Sequence, residues 1–155
     1  ATPAPKPKPK PAAAPQAQRR PSGVADAIRP GKLRKSERLR SMFEHGMRIS
    51  RMHPETRLVG LTLLGYANFQ TGQIHARWRP TVEDLADATG LTAGRVLVQV
   101  EILTSRGWLT EHVLARGPRA GSRALLLCVP ALVLEQLRDR AAQAAAEAEA
   151  AKTRD

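Results

Sequence analysis

The sequence predicts a mostly helical α+β domain carrying a small β-hairpin, and three observations predict it. The stretch Pro80 to Leu109, PTVEDLADATGLTAGRVLVQVEILTSRGWL, reads as two helices joined by a tight turn. Period-two alternation lies on both sides of it, which is the pattern of half-buried strands. Two apolar helical stripes come before it and one follows, enough to enclose a core.

Residues 1–33 form an expected disordered arm. ATPAPKPKPKPAAAP interleaves Pro with Lys and Ala, favouring extended backbone and leaving nothing to bury. The folded domain is expected over 34–140, with an Ala-rich helical or frayed tail at 141–155. From Ser36 to about Arg51, Leu39, Met42, Phe43 and Met47 share one helical stripe. Pro54 and Glu55 open a second helix running to about Gln70. Leu58, Val59, Leu61, Leu63, Leu64 and Tyr66 make it apolar almost all round, the mark of a central helix.

The run 74–79 alternates, with Ile74, Ala76 and Trp78 facing inward and His75, Arg77 and Arg79 outward, and is predicted to be a strand. Thr81 caps the next helix, with Asp84 completing a capping box after Pro80. Val82, Leu85, Ala86 and Ala88 follow helical spacing. Gly90 supplies the backbone freedom that a helix end requires, and Leu91 returns to the core. Thr92 caps a second helix to about Arg106, with Val96, Val100 and Leu103 inward. Two further strands, 108–116 and 123–129, enclose the turn-rich loop GPRAGS at 117–122. A last helix from about Ala131 to Ala150 carries Leu132, Val133, Leu134 and Leu137.

Charge is unevenly placed. Of the net +11, residues 1–40 contribute +9, residues 41–130 contribute +3, and residues 131–155 contribute −1. Such a balance favours polyanions. Only five aromatic residues are present, which argues against base stacking as the main mode. A single Cys128 excludes a disulfide framework. No apolar run approaches the roughly twenty residues of a membrane span. His45, His53, His75 and His112 are scattered, no metal-ligand spacing occurs, and GPRAGS lacks a phosphate-binding context. The expectation is therefore no enzyme activity, no cofactor, no metal and no membrane partner.

The order helix, strand, helix, helix, strand, loop, strand is that of a winged helix-turn-helix. The residues also match a family. Gly65-Tyr66-Ala67-Asn68, Gly72…Trp78-x-Pro80, Leu85-Ala86-x-x-x-Gly90-Leu91, Val96, Leu103 and Gly107-Trp108-Leu109 resemble a winged helix-turn-helix family of plasmid, phage and actinobacterial proteins. Its members are replication-associated proteins and transcriptional regulators, so the resemblance implies a DNA-binding role. It covers Glu55 to Glu111, about a third of the chain.

The resemblance implies that the helix from Thr92 enters the major groove of double-stranded DNA. Arg95 is its candidate base reader, with Thr92, Ala93 and Val98 beside it, and Thr81 suits a phosphate. Arg116, Arg119 and Arg123 on the wing suit the minor groove or flanking phosphates, with Arg77 and Arg79 as further candidates. Lys6, Lys8, Lys10, Arg19 and Arg20 would supply electrostatic affinity from the arm. The chain departs from the family at Ala93, Leu97 and Val98, where polar or basic residues are usual. Leu97, Val98 and Ile102 would then pack on the arm, a partner chain or thymine methyls. Leu132, Val133 and Leu137 of the last helix would either make a homodimer, if left exposed, or pack back on the first helices. Three roles fit: a nucleoid-located regulator or plasmid/phage replication or partition factor, an architectural nucleoid protein, and a protein-interaction module.

Overall fold

The computed structural model describes residues 2–5 and 23–154. Among them the fold is α+β, with six α-helices and one three-stranded antiparallel sheet. The helices are α1 (Gly23–Ile28), α2 (Leu39–Ile49), α3 (Pro54–Leu64), α4 (Val82–Thr89), α5 (Ala93–Ser105) and α6 (Ala131–Thr153). The strands are β1 (Gln73–Ile74), β2 (Leu109–Val113) and β3 (Arg123–Leu127). Sheet order is β1-β3-β2, with Leu109 opposite Leu127 and Val113 opposite Arg123.

One core joins α2 through α6 and the sheet. Phe43 and Met47 of α2, Val59 and Leu63 of α3, and Val96 and Leu103 of α5 are fully buried there. Ile74 and Leu127 close it from the sheet and Leu134 from α6. Phe43 meets the Trp108 ring edge-on, with centroids 5.4 Å apart, which ties α2 to the start of the hairpin. Burial in this core pushes the Cys128 thiol up to about 11, so it stays protonated at neutral pH.

The fold corrects four expectations. Residues 23–33 are not an unstructured part of the arm. α1 packs on α6, Gly31 N–H donates to the Val129 carbonyl at 2.8 Å, and Ala131 N–H donates to Arg29 at 2.9 Å. Residue 1 and residues 6–22 of the expected arm lie outside the described residues.

α3 ends at Leu64, not Gln70, and it is not apolar-buried all round: Leu58 and Leu61 are 41% and 43% exposed. The expected strand 74–79 stops after Ile74. His75 Nδ1 accepts the Arg77 N–H at 3.3 Å, and the chain winds into a 3-10 turn, Ala76–Trp78. Trp78 consequently faces solvent at 63% exposure instead of entering the core. Finally, α6 spends its apolar stripe within the chain. Leu134 and Leu137 are buried, Val133 is half-buried against the core, and Leu132 alone of the four is exposed. Of the two expectations for this helix, packing back on the first helices is the one the structure shows, and the apolar face for a homodimer is largely used up. No helix among the described residues is long and apolar enough to cross a membrane.

Candidate nucleic-acid interface

The α4–α5 pair is built by local rules that the sequence states openly. Thr81 Oγ1 accepts the Asp84 N–H at 3.1 Å, and Asp84 Oδ2 accepts the Thr81 N–H at 2.9 Å, a complete capping box. Gly90, at φ 76, ends α4 with its N–H donating to the Ala86 carbonyl at 2.8 Å. Thr92 then caps α5, its hydroxyl accepting the Arg95 N–H at 3.3 Å. Both threonine hydroxyls keep their own proton to donate, and both residues are exposed.

α5 buries Val96 and Leu103 with Val100 partly covered, as its spacing predicts, but Gln99 is buried beside them. Thr56 of α3 donates its hydroxyl proton to Gln99 Oε1 at 2.6 Å, and Gln99 Nε2 donates to Glu55 Oε2 at 3.4 Å. The other Glu55 oxygen holds the Arg95 guanidinium at 2.8 Å. Arg95 is thus engaged along the flank of α5, while Ala93, Leu97 and Val98 are exposed on the rest of the helix. Ile102 is partly buried, which separates it from the apolar patch expected with Leu97 and Val98.

The hairpin leaves α5 through Gly107 and places a second acidic residue among the candidate cations. Glu111 on β2 binds Arg79 at 2.7 Å and lies 3.7 Å from Arg123 across the ladder. Residues 114–122 form the connecting loop. Gly121 N–H donates to the Leu114 carbonyl at 2.9 Å, and Leu114 N–H donates to the Ser122 carbonyl at 3.0 Å. Arg116 and Arg119 stand exposed on this loop, and no carboxylate among the described residues pairs with either. Arg77 lies over the Trp78 ring at 5.2 Å, a cation–π contact in solvent.

The structure therefore brings Arg79 and Arg123 together on Glu111, ties Arg95 to Glu55, and leaves Arg116 and Arg119 at the loop tip. Lys6, Lys8, Lys10, Arg19 and Arg20 lie outside the described residues. Sequence reasoning missed Glu55, Gln99, Glu111 and exposed Trp78. The Thr56–Gln99, Gln99–Glu55 and Arg79–Glu111 contacts span 43, 44 and 32 residues, and no spacing rule connects residues so far apart. No group of three or more His, Cys, Asp or Glu among the described residues could hold a metal ion. No known protein family, curated protein or solved structure matches the chain.

Proposed function

We propose that this chain is a winged-helix protein that binds double-stranded DNA. α4 and α5 would be the helix-turn-helix, the 114–122 loop the wing, and the basic N-terminal arm a source of non-specific affinity. The observation that carries the reading is the loop itself: Arg116 and Arg119, without carboxylate partners among the described residues, cap a hairpin that continues directly from α5. The +11 net charge supports it. A transcriptional regulator or a plasmid or phage replication or partition factor, acting at the nucleoid, is the role this reading favours. The Glu55 grip on Arg95 favours a second role, an architectural protein with little sequence preference.

Full-length protein incubated with a random duplex pool, at two salt concentrations, followed by sequencing of the bound fraction, tests the reading. An enriched motif supports the regulator. Unselective binding with a steep salt dependence supports the architectural role. Arg116→Ala with Arg119→Ala should weaken binding and flatten the log–log salt slope by about two. No binding at moderate salt refutes DNA binding and leaves the protein-interaction module.

A further inference from the structure

α5 turns one face away from the body, and that face carries Leu97, Val98 and Glu101. Leu97 and Val98 are 54% and 53% exposed. Glu101, four and three residues further on, is exposed on the same face, with no partner among the described residues. Gly94, one turn before Val98, adds no bulk, and a Cβ built there would meet nothing within 4 Å. The long cation nearby, Arg95, is held by Glu55 at 2.8 Å. The face therefore presents methyl groups and one carboxylate acceptor, with no unengaged cationic donor.

We infer that this face reads A·T pairs in the major groove, with Leu97 and Val98 against thymine 5-methyl groups. The inference rests on the DNA-binding reading and assigns its preferred substrate. An A·T pair presents the thymine methyl group that a G·C pair lacks, and guanine's two acceptors call for Arg or Lys. Glu101 can accept from the amino group of adenine or of cytosine, so the methyl contacts carry the choice. A protein partner fits less well. Two half-exposed aliphatic side chains cover only a small part of the roughly 800 Å² per partner that a stable protein interface buries. A methyl group needs only a patch of that size.

The test compares full-length protein on two A/T-rich duplexes of identical sequence, one carrying thymine and the other uracil. The substitution removes methyl groups and leaves every phosphate and hydrogen-bonding edge, so electrostatic affinity from the arm cancels in the ratio. Binding should weaken about fourfold for each contacted methyl lost. Leu97→Ala with Val98→Ala, both at exposed positions, should bind the two duplexes equally while its thermal melt matches the wild type. Equal wild-type affinity for the two duplexes overturns the inference and leaves DNA binding standing, as does a double variant that keeps the thymine preference. Failure to bind either duplex at moderate salt overturns the DNA-binding reading itself, and self-association through Leu97 and Val98 in its place assigns the face to protein docking.

Discussion

Glu55 on α3 and Arg95 on α5 form an ion pair of 2.8 Å between two helices that also share the buried Thr56–Gln99 hydrogen bond. The pair is lopsided in solvent access. The Glu55 side chain is 19% exposed and that of Arg95 63%, so the carboxylate is the fixed member and the guanidinium the one that can leave. On the proposed DNA face, an incoming phosphate or guanine competes with a carboxylate already in place.

Glu55→Gln should therefore raise DNA affinity and steepen the log–log salt slope by about one, because Arg95 becomes available for one more phosphate. Bound sites should also shift toward guanine opposite α5. Stability should move by less than about 1 kcal/mol, since half of the pair faces water. Filter binding at two salt concentrations checks this, and an affinity and slope identical to wild type would show that Arg95 never meets DNA.

Thr56→Val removes a hydroxyl donor at a site only 1% exposed and strands Gln99 Oε1 in the core. The expected loss is about 1–3 kcal/mol in urea unfolding. Adding Gln99→Leu removes the stranded acceptor as well, so the double variant should recover part of that loss. A double variant as unstable as the sum of both singles contradicts the buried hydrogen bond.

Much of this architecture is legible in the sequence because its rules are local. Thr81 with Asp84, Gly90 and Thr92 announce their caps within four residues, and the alternation at 109–113, the turn-rich loop and the apolar run at 123–127 announce the hairpin. The trouble begins where a local signal has two outcomes. The alternation of 74–79 reads as a strand, yet the His75 cap on Arg77 curls it into a turn and turns Trp78 outward. The site suffers most, since cations are visible one at a time while their carboxylates arrive from other elements. Glu55 and Glu111 decide which arginines are engaged, and nothing near them in sequence says so.

Gly90 and Gly107 share a positive φ, at 76 and 86, but not surroundings. A Cβ on Gly90 meets open space, so Gly90→Ala should cost roughly 1–2 kcal/mol of backbone strain alone. A Cβ on Gly107 would strike the Ile28 carbonyl, so Gly107→Ala carries that strain and must also push α1 off the hairpin. Thermal melts should rank Gly107→Ala clearly below Gly90→Ala. Equal melts would mean that α1 does not hold its place against residue 107.

α6 divides at about Arg140. Leu134 and Leu137 are buried before it, and every described residue from 141 on is exposed. Deleting 141–155 should leave stability within about 0.5 kcal/mol of the full chain, since only surface is lost. Leu134→Asp should unfold the protein, because it buries a charge in the core rather than disrupting a dimer face. Urea melts of both variants check this; a large loss on deletion would show that the tail packs against something.

Glu37 makes the fold sensitive to acid. Arg138 on α6 donates to both its oxygens, at 2.6 and 3.0 Å, and Arg34 N–H adds a third bond at 2.8 Å. The Arg138 guanidinium, opposed by partial burial, holds the Glu37 carboxyl below its ordinary 4.5. A carboxyl depressed in the folded state binds fewer protons there than in the unfolded chain. Its stabilisation is therefore complete above about pH 4.5 and is lost as pH falls through the lower folded value. Glu37→Gln should cost about 1.5–3 kcal/mol at pH 7, as expected for a hydrogen bond to a charged group. The gap between wild type and variant should then narrow steadily below pH 4.5. Urea melts at pH 7, 4.5 and 3 measure that gap, and a gap that stays constant with pH would rule out Glu37 as the titrating clasp.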